Sequence, residues 1–219
     1  MPELHPFNNG FTFNVENLQG GMFSEGATKI IMGTFPPPSV MQHYLSSGIF
    51  FYYNSSKSHF WNRIESFVPY QDNLRWKWLA DSDETEVENI NRKISLSEQR
   101  GWAFMDFFSI ISRLVNNAED ANLINVDNVV QNGLLMEALT AMPTINKILC
   151  TYTTAYNRLL EKLGEIGYQL NQVPEQMAAN GKKHIWNFEN RDVEIILLYP
   201  ASRSGDNAFS KNAQYQYYL

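Results

Sequence analysis

Four short apolar runs constrain the fold of this chain more than any other feature: Lys29–Gly33, Gly101–Phe108, Ile145–Thr151 and Val193–Tyr199. Runs so short and so continuously apolar read as strands buried on both faces, the pattern of a parallel sheet. Between them the apolar spacing turns helical. Phe60, Trp61, Ile64, Phe67 and Val68 recur on one face until Pro69, Val129–Met142 reads as a helix, and Tyr156, Leu159, Leu160 and Leu163 form a stripe that stops near Gly164. Residues 71–100 read as a surface helix carrying the acidic block Asp81–Glu88, and Ser109–Leu114 as a helical continuation of the second run. Strands alternating with helices in this way predict an α/β fold, a three-layer αβα arrangement around a four-stranded, mostly parallel sheet. Residues 1–28 read as an irregular or short-stranded lead-in, and Leu170–Phe188 as an added hairpin turning at Asn180-Gly181.

A chain of 219 residues suits one domain, here 1–219. Its 44% hydrophobic and 18% charged residues are those of a globular protein and not of a disordered one. Cys150, the single cysteine, can make no internal disulfide and no zinc cluster, which favours a reducing, cytoplasmic setting. No apolar stretch approaches the ~20 residues of a membrane helix, so no membrane partner is expected. The net charge of -6 argues against indiscriminate binding to nucleic acid. It leaves room for a local basic face, because Lys57, Arg63, Arg75 and Lys77 precede the acidic block and Lys182, Lys183, Arg203 and Lys211 follow it. His5, His43, His59 and His184 never stand three or four residues apart and read as surface histidines, so no metal is expected. Gly-x-Ser-x-Gly, Walker and Gly-x-Gly-x-x-Gly motifs are absent, and with them any sign of a cofactor.

In parallel sheets ligands bind beyond the carboxyl ends of the strands, which puts Gly33–Pro38 and Pro200–Gly205 on one rim. The aromatic stretch Gly48–Trp61 lies between them in sequence. Phe60 and Trp61 read as core. Phe50–Tyr53 either cover the sheet or stack on a nucleobase taken out of a helix, with Asn54 or Ser58 bonding its edge. Ser58 serves equally well as the N-cap of the helix that follows.

Gly33-Thr34-Phe35-Pro36, followed by Tyr52-Tyr53 and then Phe60-Trp61, resembles the first active-site region of the uracil-DNA glycosylase superfamily, most closely its hypoxanthine-DNA glycosylase and mismatch-specific uracil-DNA glycosylase branches. Gly101–Asp106 resembles that family's second strand with its Asp, and Pro143–Ile148 its third strand and lead-in. Tyr199–Ser204 resembles the Pro-Ser-rich loop that enters the minor groove, so the resemblance spans residues 29 to 210 in order. Phe35 departs from it, standing where the mismatch-specific branch has a water-positioning Asn. Ser58 stands near the place of the hypoxanthine branch's Asn, Ala201 replaces a usual Ser, and Arg203 falls where a wedge residue fills the space of the flipped base.

The resemblance implies a monofunctional DNA glycosylase that extrudes a deaminated base, uracil or hypoxanthine, and hydrolyses its N-glycosidic bond without cofactor or metal. In that reading Asn54 and Ser58 are the catalytic candidates, Phe35 and Tyr53 border the base, and Lys57, Pro200, Ser202 and Arg203 meet the DNA. The partner is DNA carrying a damaged or deaminated base, and a monomer is favoured. Two other readings stay open: a non-catalytic nucleic-acid or nucleobase-binding member of the same fold, and an enzyme acting on free nucleosides or nucleotides, which the acidic charge suits.

Overall fold

The computed structural model describes residues 3–5, 21–47, 51–54, 60–61, 85–115, 121–124, 130–131, 133–168, 170, 174–176, 181–198 and 217–218. Among them run β1 (Glu3–Leu4), β2 (Gly21–Met22), β3 (Lys29–Gly33), α1 (Pro38–Ser47), α2 (Glu86–Gln99), β4 (Trp102–Asp106), β5 (Phe108–Ile111), α3 (Ala121–Ile124), β6 (Val130–Gln131), α4 (Leu134–Ala141), β7 (Lys147–Cys150), α5 (Thr153–Glu165), β8 (Glu175–Gln176), β9 (Lys182–Phe188) and β10 (Arg191–Leu197).

The four apolar runs become β4, β3, β7 and β10, adjacent and mutually parallel in that order. The sheet they form is nevertheless seven-stranded and mixed, which corrects the expected four-stranded one. β2 pairs antiparallel with β4 at one edge, and β9 then β8 extend the other edge antiparallel to β10. Of the extra strands, β8 and β9 fall within the hairpin expected over Leu170–Phe188 and pair antiparallel, and what the pattern does not show is that this ribbon joins the central sheet or that β2 exists. β2 and β8 are two residues each, too short to show a period, and β9 alternates buried and exposed positions like a surface ribbon. β9 and β10 turn through Glu189 and Asn190, with φ of 50° and 64°, so both residues adopt the left-handed conformation of a two-residue hairpin without the usual glycine.

Two further expectations change. Ser109–Leu114 is not helical: β5 occupies 108–111 and pairs antiparallel with β1 and β6 in a separate three-stranded sheet. Its two adjacent β-branched residues, Ile110 and Ile111, favour the extended form. The helix expected from Val129 begins at Leu134, because Val130–Gln131 is the strand paired with β5. The acidic helix is α2, capped by Thr85, whose hydroxyl accepts from the Glu88 amide while Glu88 reaches back to the Thr85 amide. The part of the 71–100 reading before residue 85 lies outside the described residues.

Alternate residues of the central strands face opposite sides. Ile30, Met32, Ala103, Met105, Ile148 and Cys150 pack under α4 and α5, whose Leu139, Leu159 and Leu163 are buried there. Ile31, Trp102, Phe104, Leu149 and Ile196 pack instead under Phe51–Tyr53, Phe60, Trp61 and the Ile90 and Leu96 of α2. Helix, sheet and helix thus form the expected three layers. No helix among the described residues is long and apolar enough to cross a membrane.

Candidate functional site

β3 and β4 end side by side, with Gly33 opposite Asp106 in the ladder. The chain after β3 is pinned there: Phe107 and Phe108 donate their amides to the carbonyls of Gly33 and Thr34 at 3.0 and 3.2 Å, and Thr151 donates its amide to Met32 O at 3.0 Å. Asp106 ends an otherwise apolar strand and is fully buried. A carboxylate there needs partners. Its Oδ2 lies 2.9 Å from His5 Nε2, and its Oδ1 accepts from the Tyr53 hydroxyl at 3.3 Å.

His5 reaches this place because β1 pairs with β5 and the His5 amide donates to Ser109 O at 2.8 Å. The imidazole meets the edge of Phe35 at 5.2 Å between centroids. Phe35 also meets Arg113, whose guanidinium lies 5.6 Å from the ring centroid and also binds Glu3 at 3.0 Å and Pro36 O at 2.6 Å.

Gly33 has to be glycine for want of space. A Cβ there would stand 2.2 Å from Asp106 Oδ1, 2.8 Å from the Tyr53 hydroxyl and 2.9 Å from the Tyr52 hydroxyl. One carboxylate oxygen and two phenols therefore converge over the Gly33 backbone at the sheet's carboxyl rim. Burial, reinforced by the Asp106 charge, pushes the Tyr52 phenol well above its ordinary range, so it stays protonated as a donor. A cavity of about 10 Å³, room for about one water, lies beside the phenols between Tyr52, Tyr53, Phe60, Thr151 and Tyr152. A larger cavity of about 520 Å³ opens on the opposite face among Met32, Met105, Leu135, Met136, Leu159 and Lys162. Its lining among the described residues is mostly aliphatic, with Gln131 and Lys162 as polar members, whereas hydroxyl-bearing residues, Tyr52, Tyr53, Thr151 and Tyr152, line most of the smaller one.

Of the residues expected to form a site, Tyr53 reaches this focus directly and Phe35 borders it through His5. Asn54 follows Tyr53 but is turned the other way, 1% exposed, with its Oδ1 accepting from Lys93 at 2.5 Å and its Nδ2 donating to Glu86 at 3.0 Å. Phe60 and Trp61 are buried in the aromatic layer, as expected. Lys57, Ser58, Pro200, Ser202 and Arg203 lie outside the described residues.

Sequence reasoning missed His5, Lys93 and Asp106 as site residues. His5 and His184 are buried, which corrects their reading as surface histidines, while His43 is half-buried and His59 lies outside the described residues. A signal existed for Asp106, a charge closing an apolar strand, and for Lys93, which falls in the stripe with Ile90 and Leu96. None existed for His5. No group of three His, Cys, Asp or Glu side chains that could hold a metal occurs among the described residues.

Neither a family model nor a curated protein matches the chain. Among solved structures it is similar to the solution NMR structure of a candidate uracil DNA glycosylase from Methanosarcina acetivorans, with a TM-score of 0.47 and 15% identity over 86% of this chain and 88% of the other.

Proposed function

We propose that the protein is a DNA glycosylase-like enzyme whose site is the carboxyl rim of β3 and β4, acting on a deaminated base, uracil or hypoxanthine, extruded from DNA. The observation that carries this reading is the convergence of Asp106 and the Tyr52 and Tyr53 hydroxyls over Gly33, walled by aromatic rings. Hydrolysis of an N-glycosidic bond builds positive charge on the sugar and negative charge on the departing base. A buried carboxylate, held by the Tyr53 hydroxyl, stabilises the first, and the protonated Tyr52 phenol stabilises the second by donating to the base. One water adds to C1′, the C1′–N bond breaks, and the proton the water releases ends on the base. His5 holds Asp106 at the rim, and Phe35 holds His5. Ser58 is proposed to bond the base or the water, and Lys57, Pro200, Ser202 and Arg203 to hold the DNA strand.

One observation favours a second reading, a base-binding protein without hydrolysis: both ends of the Asn54 amide are taken by Lys93 and Glu86, so it offers less to a substrate than a catalytic amide would. Single-turnover assays on duplexes containing uracil, hypoxanthine or xanthine, with free nucleosides in parallel, separate the readings. Excision from duplex is expected, and Asp106→Asn should lower its rate by about 10²–10³ with duplex affinity retained, as for loss of other preorganised electrostatic groups. Binding without release of any base would establish the second reading. Release from nucleosides alone would move the activity to free substrates.

A further inference from the structure

We propose that Lys93 and Glu86 of α2 are positioning residues that act through Asn54 to hold Tyr53 over Gly33; the catalytic part of this inference rests on the function proposed above. Tyr53 has φ of 49°, a left-handed conformation that is unfavourable for a non-glycine residue and persists only where surrounding contacts over-determine it. Tyr53 is the third residue of a turn closed by the Asn54 amide donating to Phe51 O at 2.9 Å. Two carbonyls of that turn are tied from outside. The Tyr44 hydroxyl donates to Phe51 O, and Trp61 Nε1 donates to Tyr52 O at 2.7 Å. A further tie is the Asn54 side chain, whose two hydrogen bonds both go to α2.

That tie uses a fully buried lysine where the helix stripe calls for an apolar residue. Burying an ammonium is costly, and an aliphatic side chain would be cheaper at this position. The ammonium lies 5.1 Å from the Trp61 ring centroid and donates to Asn54 Oδ1 at 2.5 Å. An acceptor bond from a cation fixes which way the amide faces, so Nδ2 must point to Glu86, and it does, at 3.0 Å. Glu86 is steadied in turn by His43 Nε2 at 2.7 Å. Lys93 and Glu86 stand seven residues apart on one face of α2 and grip the amide between them. The grip sets the backbone of Asn54, the closing residue of the strained turn, and the turn places the Tyr53 hydroxyl on Asp106. In this assignment Asn54 is a positioning residue and not a substrate contact.

The test combines excision kinetics with a spectroscopic reading of Tyr53. Lys93→Met should lower single-turnover excision by about 10- to 100-fold, the scale of small misplacements at a reacting centre, with little change in duplex affinity. Tyr53→Phe should lower it too. If Lys93 acts through the Tyr53 hydroxyl, the double variant should be no slower than the slower single variant, whereas independent effects would multiply and overturn the proposal. Glu86→Ala should also slow excision, and Glu86→Gln, which keeps an acceptor for Asn54, should restore most of the rate. With 3-fluorotyrosine incorporated, the Tyr53 fluorine resonance, identified by its loss in Tyr53→Phe, should shift in Lys93→Met. Should Lys93→Met fail to fold, Asn54→Asp, which keeps the bond to Lys93 but sets an oxygen against Glu86, should produce the shift instead. An unmoved resonance in a folded variant sinks the clamp whatever the enzyme does. A shifted resonance in a protein that excises nothing sinks the glycosylase reading and leaves the clamp standing.

Discussion

The two faces of the central sheet are built on different principles. Under α4 and α5 the layer is mainly aliphatic: Ile30, Met32, Met105, Ile148, Leu139, Leu159 and Leu163 fill volume, and the buried Cys150 thiol is pushed far up in pKa by loss of solvent alone. Under α2 the layer is aromatic and threaded with polar groups. Phe51 stacks on Trp61 at 5.6 Å and Tyr52 on Phe104 at 4.6 Å, while Asn54, Lys93 and Ser97 are buried among them with hydrogen bonds. Aliphatic contacts are non-directional and tolerate rearrangement, whereas stacked rings and buried hydrogen bonds fix angles. One face therefore mainly holds the sheet together, and the other holds a particular geometry at the sheet's rim.

The largest expected effect tests the aliphatic face. Leu159 is 2% exposed, and truncating such a residue costs about 2–5 kcal/mol. Because it also borders the 520 Å³ cavity, it already lacks neighbours on one side, which places Leu159→Ala in the lower half of that range. Urea denaturation should record this loss while the Tyr53 fluorine resonance and the excision rate per folded molecule stay as in wild type. A site that changed with Leu159 would erase the distinction between the faces.

A smaller loss of stability with a larger consequence at the site is expected at Gly33. The added methyl of Gly33→Ala meets Asp106 Oδ1 at 2.2 Å, so the carboxylate must move, and overpacking of this kind costs about 1–3 kcal/mol. The variant should remain folded by circular dichroism, lose excision and shift the Tyr53 resonance. Full activity in Gly33→Ala would mean that the convergence over Gly33 is packing without function.

The smallest effect is a pH dependence at the opposite, amino end of the same strands. Lys29 is buried at the start of β3 and donates to Tyr218 O at 3.3 Å. Burial, followed by the charges of Lys147 and Arg100, lowers its pKa from 10.5 to about 8. Between those two values the unfolded chain binds more protons than the folded one, so Lys29 contributes stability that rises with pH across the window and is flat below it. The urea midpoint of the wild type should therefore climb relative to that of Lys29→Met as pH goes from about 8 towards 10. Parallel profiles would show that Lys29 is as well solvated as an exposed lysine.

Local pattern determined the frame. The four apolar runs are the four parallel strands, the stripe at Tyr156, Leu159 and Leu163 is α5, and Phe60 and Trp61 are core, because burial on one or both faces of a regular element imposes a period on neighbouring residues. Tyr53 was marked by the likeness of Tyr52-Tyr53 to a known active-site motif and not by a period. The two-residue strand β2 carries no period, and the ribbon of β8 and β9, legible only as a hairpin, enlarges the sheet by pairing with β10. The site's polar partners were decided by tertiary structure alone. His5 and Asp106 are separated by 101 residues, and Lys93 and Asn54 by 39. Nothing within a window of one helix turn or one strand distinguishes a histidine that will meet a carboxylate from one that will meet water. A charged residue in an apolar stripe is read as a solvated exception until the fold supplies its partner, since the energy that makes burial tolerable lies in the pair and not in either residue.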